Sequence, residues 1–330
     1  MKPGSISKAL IIKPSSLGDI VHSLPFLSAL KKTHTDASVH WVVARGLDGL
    51  LDGHPMIDRL WIIDKDKWKR LTSLPDTLRE FSALMSGLGR EKFDIAIDLQ
   101  GLFRSGLITK LSQSPLRVGF KEARELSPLF YNHLVEGGVE LHAVDRYMKV
   151  AADLGLDTTS IDFPLLTSPY DTGSGDYAVL VPSARWNTKI WPASRFAALA
   201  AALPIRTYIL GGKSDAHRAD EIQSGSSGKA TSLAGKTSLK ELAHIIKGAR
   251  FMVCNDSGPM HIAAGLGVPV FAIFGPTNPL RTGPYGKGHT IFQSGLDCVP
   301  CYSKKCGNLR CMDAISPEEV LSAIKSRGLA

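Results

Sequence analysis

Residues 251–284, FMVCNDSGPMHIAAGLGVPVFAIFGPTNPLRTGP, carry the residue types of an anion site. A short apolar run over 251–254 reads as a strand. Asn255, Asp256, Ser257 and Gly258 follow as turn and helix-capping residues, with Pro259 where a first helical position falls. A helix starting there directs its unpaired N–H groups and positive dipole end beyond the strand's carboxyl end, which favours a phosphate. The segment then passes Gly267 and Pro269 into a second buried strand over 270–274 and a stiff loop over 275–279. His261, on the first helical turn, either faces a ligand or packs inward. A βαβ unit without any ligand would carry the same pattern.

Two charged residues follow strand ends elsewhere. Asp19 lies in the loop KPSSLGD after a strand over 9–12, where a carboxylate serves either as a general base or as a cap for the helix beginning at Ile20. Lys189 lies in SARWNTKIWP, with Ser183 and Arg185 before it, and reads as a phosphate clamp or as a solvated basic loop. Gly211-Gly212-Lys213-Ser214 is a glycine-rich turn able to meet a ribose, a weak signal alone. The cluster Cys298-x2-Cys301-x4-Cys306-x4-Cys311 matches no familiar metal template closely. It leaves three readings open: a structural zinc site, reduced thiols, or disulfide or iron–sulfur chemistry.

The elements that must position these residues alternate. Strands over 9–12, 39–43, 60–63, 93–99 and 117–120 interleave with helices over 20–32, 103–111 and 142–154. A second series has strands at 177–182, 207–211, 251–254 and 270–274 with helices at 193–202, 215–223, 238–248 and 258–266. Such alternation predicts parallel, doubly wound α/β sheets. The turn formers and prolines of 162–176 read as a linker. This places an N-terminal domain at 1–165, a C-terminal domain at 166–315 and a closing helix in 316–330. The chain has 39 Lys and Arg against 31 Asp and Glu, a net charge of +8, so an acidic partner fits. Neither an RNA-binding signature nor a helix-turn-helix pattern is present, which argues against nucleic acid. With no apolar run of about 20 residues, a cytoplasmic protein is expected, at most touching a membrane surface.

Taken together these segments resemble the ADP-heptose:lipopolysaccharide heptosyltransferases, glycosyltransferase family nine, most of all its type I members. The resemblance runs nearly end to end. It rests on KPSSLGDIVHSLP (13–25), His40-Trp41, Gly53-His54-Pro55, DLQGL (98–102) with Arg104-Ser105, RVGF (117–120) and HAVDR (142–146). It continues through Lys189 before Trp191-Pro192, NDSGPMH (255–261) and Gly275-Pro276-Thr277. Ser257 stands where the family has Thr, and the cysteine cluster is a feature more of type II-like members.

The resemblance implies a GT-B fold of two facing Rossmann-like domains with a cleft between them. It also implies inverting, metal-independent transfer of L-glycero-D-manno-heptose from ADP-heptose to Kdo-lipid A in lipopolysaccharide inner-core synthesis. Asp19 is then the base on the acceptor hydroxyl, and Lys189 offsets charge on the departing diphosphate. Ser183, Arg185, Lys213, Thr237, Asp256, Ser257, Gly258, Pro259 and His261 join Lys189 in binding the donor. Ser16, Gly18, His22, Gln100 and Arg104 bind the acceptor. Work on the cytoplasmic face of the inner membrane follows, and Lys65, Lys67, Lys69 and Arg70 with Trp61 and Trp68 form the surface expected to meet anionic lipid. The alternatives are another acceptor or sugar nucleotide within the family, a non-catalytic nucleotide or glycan binding module, and an epimerase, for which no catalytic carboxylate pair is evident.

Overall fold

Among the described residues, apolar central strands buried on both faces, most of them joined by crossover helices, and more exposed edge strands build two six-stranded sheets, all of whose pairings are parallel. The computed structural model describes residues 4–64 and 74–330. The chain divides into two compact units, Met1–Pro164 and Leu165–Ala330.

The first unit runs β1 (Lys8–Ile12), α1 (Leu17–Thr33), β2 (Ser38–Ala44), β3 (Arg59–Ile63), α2 (Leu74–Arg90), β4 (Ile95–Asp98), α3 (Phe103–Leu111), β5 (Leu116–Phe120), β6 (His133–Val135) and α4 (Ala143–Asp153). Its strand order is β3-β2-β1-β4-β5-β6. On one face Leu10, Ile12, Val42, Ala96, Phe93 and Ile108 form a core with Leu88 of α2. On the other, α1 packs against α4. Trp61 belongs to the first core, with its indole N–H donating to His40 Nδ1 at 3.2 Å and Arg59 lying over its ring. It is therefore an interior side chain and not part of a lipid-facing surface; Lys65, Lys67, Trp68, Lys69 and Arg70 lie outside the described residues.

The second unit runs β7 (Tyr177–Val181), α5 (Ala193–Ala202), β8 (Arg206–Ile209), α6 (Ala216–Gly225), β9 (Ala230–Ser232), α7 (Leu239–Lys247), β10 (Met252–Asn255), α8 (Gly258–Gly265), β11 (Val270–Phe274), α9 (Pro279–Thr282), β12 (Thr290–Gln293), α10 (Arg310–Asp313) and α11 (Pro317–Ser326). The order is β12-β11-β10-β7-β8-β9. Trp191, Phe196, Phe251 and Phe271 centre its core, and Val320 and Ile324 bring α11 onto it. Among the described residues no helix is long and apolar enough to cross a membrane.

Candidate active site

Each sheet reverses its winding between two central strands, β1 and β4 in the first unit and β7 and β10 in the second. Ligands of open parallel sheets bind beyond the carboxyl ends at such a point. The loops after these four strands hold most of the residues that the sequence singles out.

After β1, the helix starts earlier than the sequence suggests. Ser16 is the N-cap of α1 and Asp19 is its third residue, so the carboxylate sits in the first turn and not in the preceding loop. Its Oδ2 accepts from Ser16 N–H at 2.8 Å and from the Ser16 hydroxyl at 2.7 Å, the reciprocal half of a capping box. Capping does not bury it, since the side chain is 38% exposed. Lys13, at 3% exposure, places its ammonium 3.9 Å from Asp19 Oδ1 and donates to Leu99 O at 3.0 Å. Burial alone would push that ammonium toward neutrality, but Asp19 and then Tyr147 outweigh it and hold its pKa above the ordinary value. A buried cation thus stands behind an accessible carboxylate.

After β4, Asp98 is fully buried and organises the turn. One oxygen accepts from Gln100 N–H at 2.8 Å and Gly101 N–H at 3.0 Å, the other from the Tyr131 hydroxyl at 2.6 Å. Burial raises its pKa against these donors, the Tyr131 hydroxyl first among them. Gly101 adopts φ +69°, which an L side chain rarely takes. Gln100 Oε1 accepts from Ser15 N–H at 3.3 Å, which ties the two loops together. Arg104 is exposed on the first turn of α3. Gly18 and His22 are buried within α1, and the His22 ring meets His142 edge-on at 5.0 Å.

After β10, Asp256 is 7% exposed and Ser257 is the N-cap of α8, whose first residues are Gly258 and Pro259. First-turn N–H groups have no partner inside a helix, and Pro259 brings none to satisfy. The Ser257 hydroxyl is buried without a hydrogen-bond partner among the described residues. From the loop after β7, Lys189 donates to Asp256 Oδ2 at 2.5 Å, and Thr277 Oγ donates to the same oxygen at 2.6 Å from the loop after β11. The structure pairs these two residues, to which the resemblance gives separate tasks on the donor. Trp186 lies beneath both Lys189 and Lys304, at 4.5 and 5.1 Å from the ring centroid. Asn255 fixes the frame: its side chain accepts from Trp191 N–H at 3.1 Å and donates to Pro182 O at 2.8 Å.

The remaining donor candidates spread along the same edge. Ser183 is half-buried and Arg185 exposed in the loop after β7. Lys213 is exposed after β8, closely packed against Gly235, where φ is +72° and an added Cβ would fall 3.0 Å from the Lys213 Cα. Thr237 has a buried hydroxyl without a hydrogen-bond partner among the described residues, and His261 is buried on α8. Cations, a helix N-terminus and two unpartnered hydroxyls are the groups a diphosphate uses.

The four clustered cysteines line one cavity of about 180 Å³ together with Thr188 and Pro276. Thr188 donates to Ser303 O at 2.8 Å, which joins this loop to the one bearing Lys189. Among the described residues no three His, Cys, Asp or Glu side chains converge closely enough to hold a metal ion. Cys298, Cys301 and Cys306 are exposed, Cys311 is half-buried and Cys254 is buried, with burial and then Asp256 pushing its thiol pKa well up. A thiol reagent applied to the folded protein should therefore modify the three exposed cysteines first, Cys311 more slowly and Cys254 only on unfolding. About one zinc per chain, released as the thiols react, would instead point to a loop that closes around an ion.

The sequence profile of Glycosyltransferase family 9 (heptosyltransferase) matches residues 81–311. The chain belongs to this family. Lipopolysaccharide heptosyltransferase 1 of Pseudomonas aeruginosa is 30% identical over 91% of this chain and 87% of its own length. Among solved structures, the chain is similar to E. coli heptosyltransferase WaaC with ADP, at TM-score 0.82 and 27% identity, covering 97% of this chain and 99% of that one. The same enzyme with ADP-2-deoxy-2-fluoro heptose gives 0.81 and 26%, over the same shares of both chains. The GT-B fold class expected from the sequence is borne out by these matches, and the protein is a glycosyltransferase.

Proposed function

We propose that this family member transfers L-glycero-D-manno-heptose from ADP-heptose to the Kdo sugar of Kdo-lipid A, with inversion at the anomeric carbon. The observation that carries the reading is the Lys189 ammonium held 2.5 Å from Asp256 beside the N-terminus of α8, next to the unpartnered Ser257 hydroxyl. The names of relatives, heptosyltransferase 1 in Pseudomonas aeruginosa and in E. coli, support the sugar and the acceptor. An acceptor hydroxyl oxygen attacks the anomeric carbon, the bond from that carbon to the diphosphate oxygen breaks, and ADP leaves with the electron pair. Asp19 takes the hydroxyl proton. Lys189 and the α8 dipole offset the charge that grows on the diphosphate, so this scheme assigns no catalytic step to a metal ion. Ser16, Gly18, His22, Gln100 and Arg104 are proposed to shape the acceptor side. Work at the cytoplasmic face of the inner membrane follows from an acceptor anchored in lipid.

Mass spectrometry of reactions with ADP-, GDP- and UDP-heptose, each offered Kdo-lipid A or already heptosylated Kdo-lipid A, tests donor and acceptor together. Transfer is expected only from the ADP donor and only to the unheptosylated acceptor. A preference for the heptosylated acceptor would move the chain to the type II reaction.

A further inference from the structure

The loop after β5 and the first residue of α3 present large apolar side chains to solvent beside Gln100 and Arg104. Leu126 is 71% exposed, Leu129 78% and Phe103 45%. The loop is held firmly: Arg124 N–H donates to Gly101 O at 3.0 Å, Phe103 N–H to Glu125 Oε2 at 3.1 Å, and the Phe103 and Phe130 rings meet edge-on at 5.3 Å. Leu126 caps a 3-10 turn, Ser127–Phe130, and the Leu129 N–H donates to Leu126 O at 3.1 Å, which fixes the backbone between the two leucines. Glu125 and Leu126 take φ of +57° and +59°, a region costly for residues with a Cβ. Strain of this kind persists where surrounding contacts impose it, and it gathers at functional surfaces.

Exposed Arg104 and Arg124 flank these side chains with exposed Glu125, whose carboxylate accepts the Phe103 N–H, so the two arginines leave the immediate surround with an excess of positive charge. We propose that Phe103, Leu126 and Leu129, ringed by Arg104 and Arg124, form the surface that docks the protein on an anionic lipid bilayer. Charge complementarity selects this partner: the leucines enter the headgroup boundary while the arginines meet lipid phosphates. The inference rests on the lipid-anchored acceptor proposed above, and it places docking next to the candidate acceptor residues.

The test uses the full chain and vesicles of phosphatidylethanolamine with phosphatidylglycerol, against phosphatidylcholine vesicles. The wild type should sediment with the anionic vesicles, and less so at high salt. The double variant Leu126→Asn, Leu129→Ser, with Asn chosen because it tolerates the left-handed region, should partition at least about tenfold more weakly. Its melting temperature and its turnover of a deacylated Kdo saccharide should be unchanged. Unchanged partition of the variant, or no anionic preference in the wild type, overturns the proposal. So does a variant whose only change in sedimentation velocity is lost self-association. Failure of the wild type to use the soluble saccharide would count against the assigned reaction, and the vesicle result would still be read separately.

Discussion

Asp19→Asn is expected to lower turnover by about 10²- to 10⁴-fold, the range that general base catalysis contributes, while calorimetry finds the affinity for ADP unchanged. The substitution separates the two roles that the residue combines. An Asn oxygen still accepts the Ser16 N–H that Asp19 Oδ2 now binds at 2.8 Å, so the first turn of α1 keeps its cap. What is lost is the charge and the ability to take a proton. Turnover within about tenfold of the wild type would leave Asp19 as a capping residue only, and a large fall in ADP affinity would show that the substitution disturbs more than the acceptor side.

Lys189→Met is expected to weaken ADP binding by about tenfold to a hundredfold, the worth of a hydrogen bond to a charged group, and to lower turnover as well. The variant also leaves Asp256 buried with Thr277 as its remaining side-chain donor among the described residues. A buried charge stripped of its partner destabilises the fold, so the melting temperature should fall. Combining Lys189→Met with Asp256→Asn removes that unpaired charge, and it should restore stability without restoring ADP affinity. If the double variant binds ADP as tightly as the wild type, the ammonium is a structural partner of Asp256 and not a ligand for diphosphate.

Much of the scaffold was legible because its strands are continuous apolar runs bounded by Gly, Pro and polar turns. The bounds of α3, α5 and β11 match the pattern to the residue. The edge strands β6, β9 and β12, of three or four residues each, escaped the reading, since so short a run has no periodicity to detect. Helix α1 begins three residues before Ile20 because Ser16, not Asp19, is its cap. The capping-box spacing from Ser16 to Asp19 was the available signal.

In the candidate site, the sequence pointed to the loops but not to the contacts within them. Lys189 and Asp256 are 67 positions apart, and they meet only because β7 and β10 are neighbours in the sheet. Thr277 enters from a third loop by the same logic. The buried Lys13 was visible only as the first letter of a motif. Its role depends on Leu99, Tyr147 and Asp19 converging, which no local pattern encodes.

The most direct test of the account is a single reaction of the purified chain with ADP-heptose and Kdo-lipid A, followed by mass spectrometry and by NMR of the new glycosidic bond. One heptose added per acceptor, one ADP released per transfer and an inverted anomeric configuration are the predicted result. A retained configuration, an isomerised donor, or no transfer while ADP-heptose binds would contradict it.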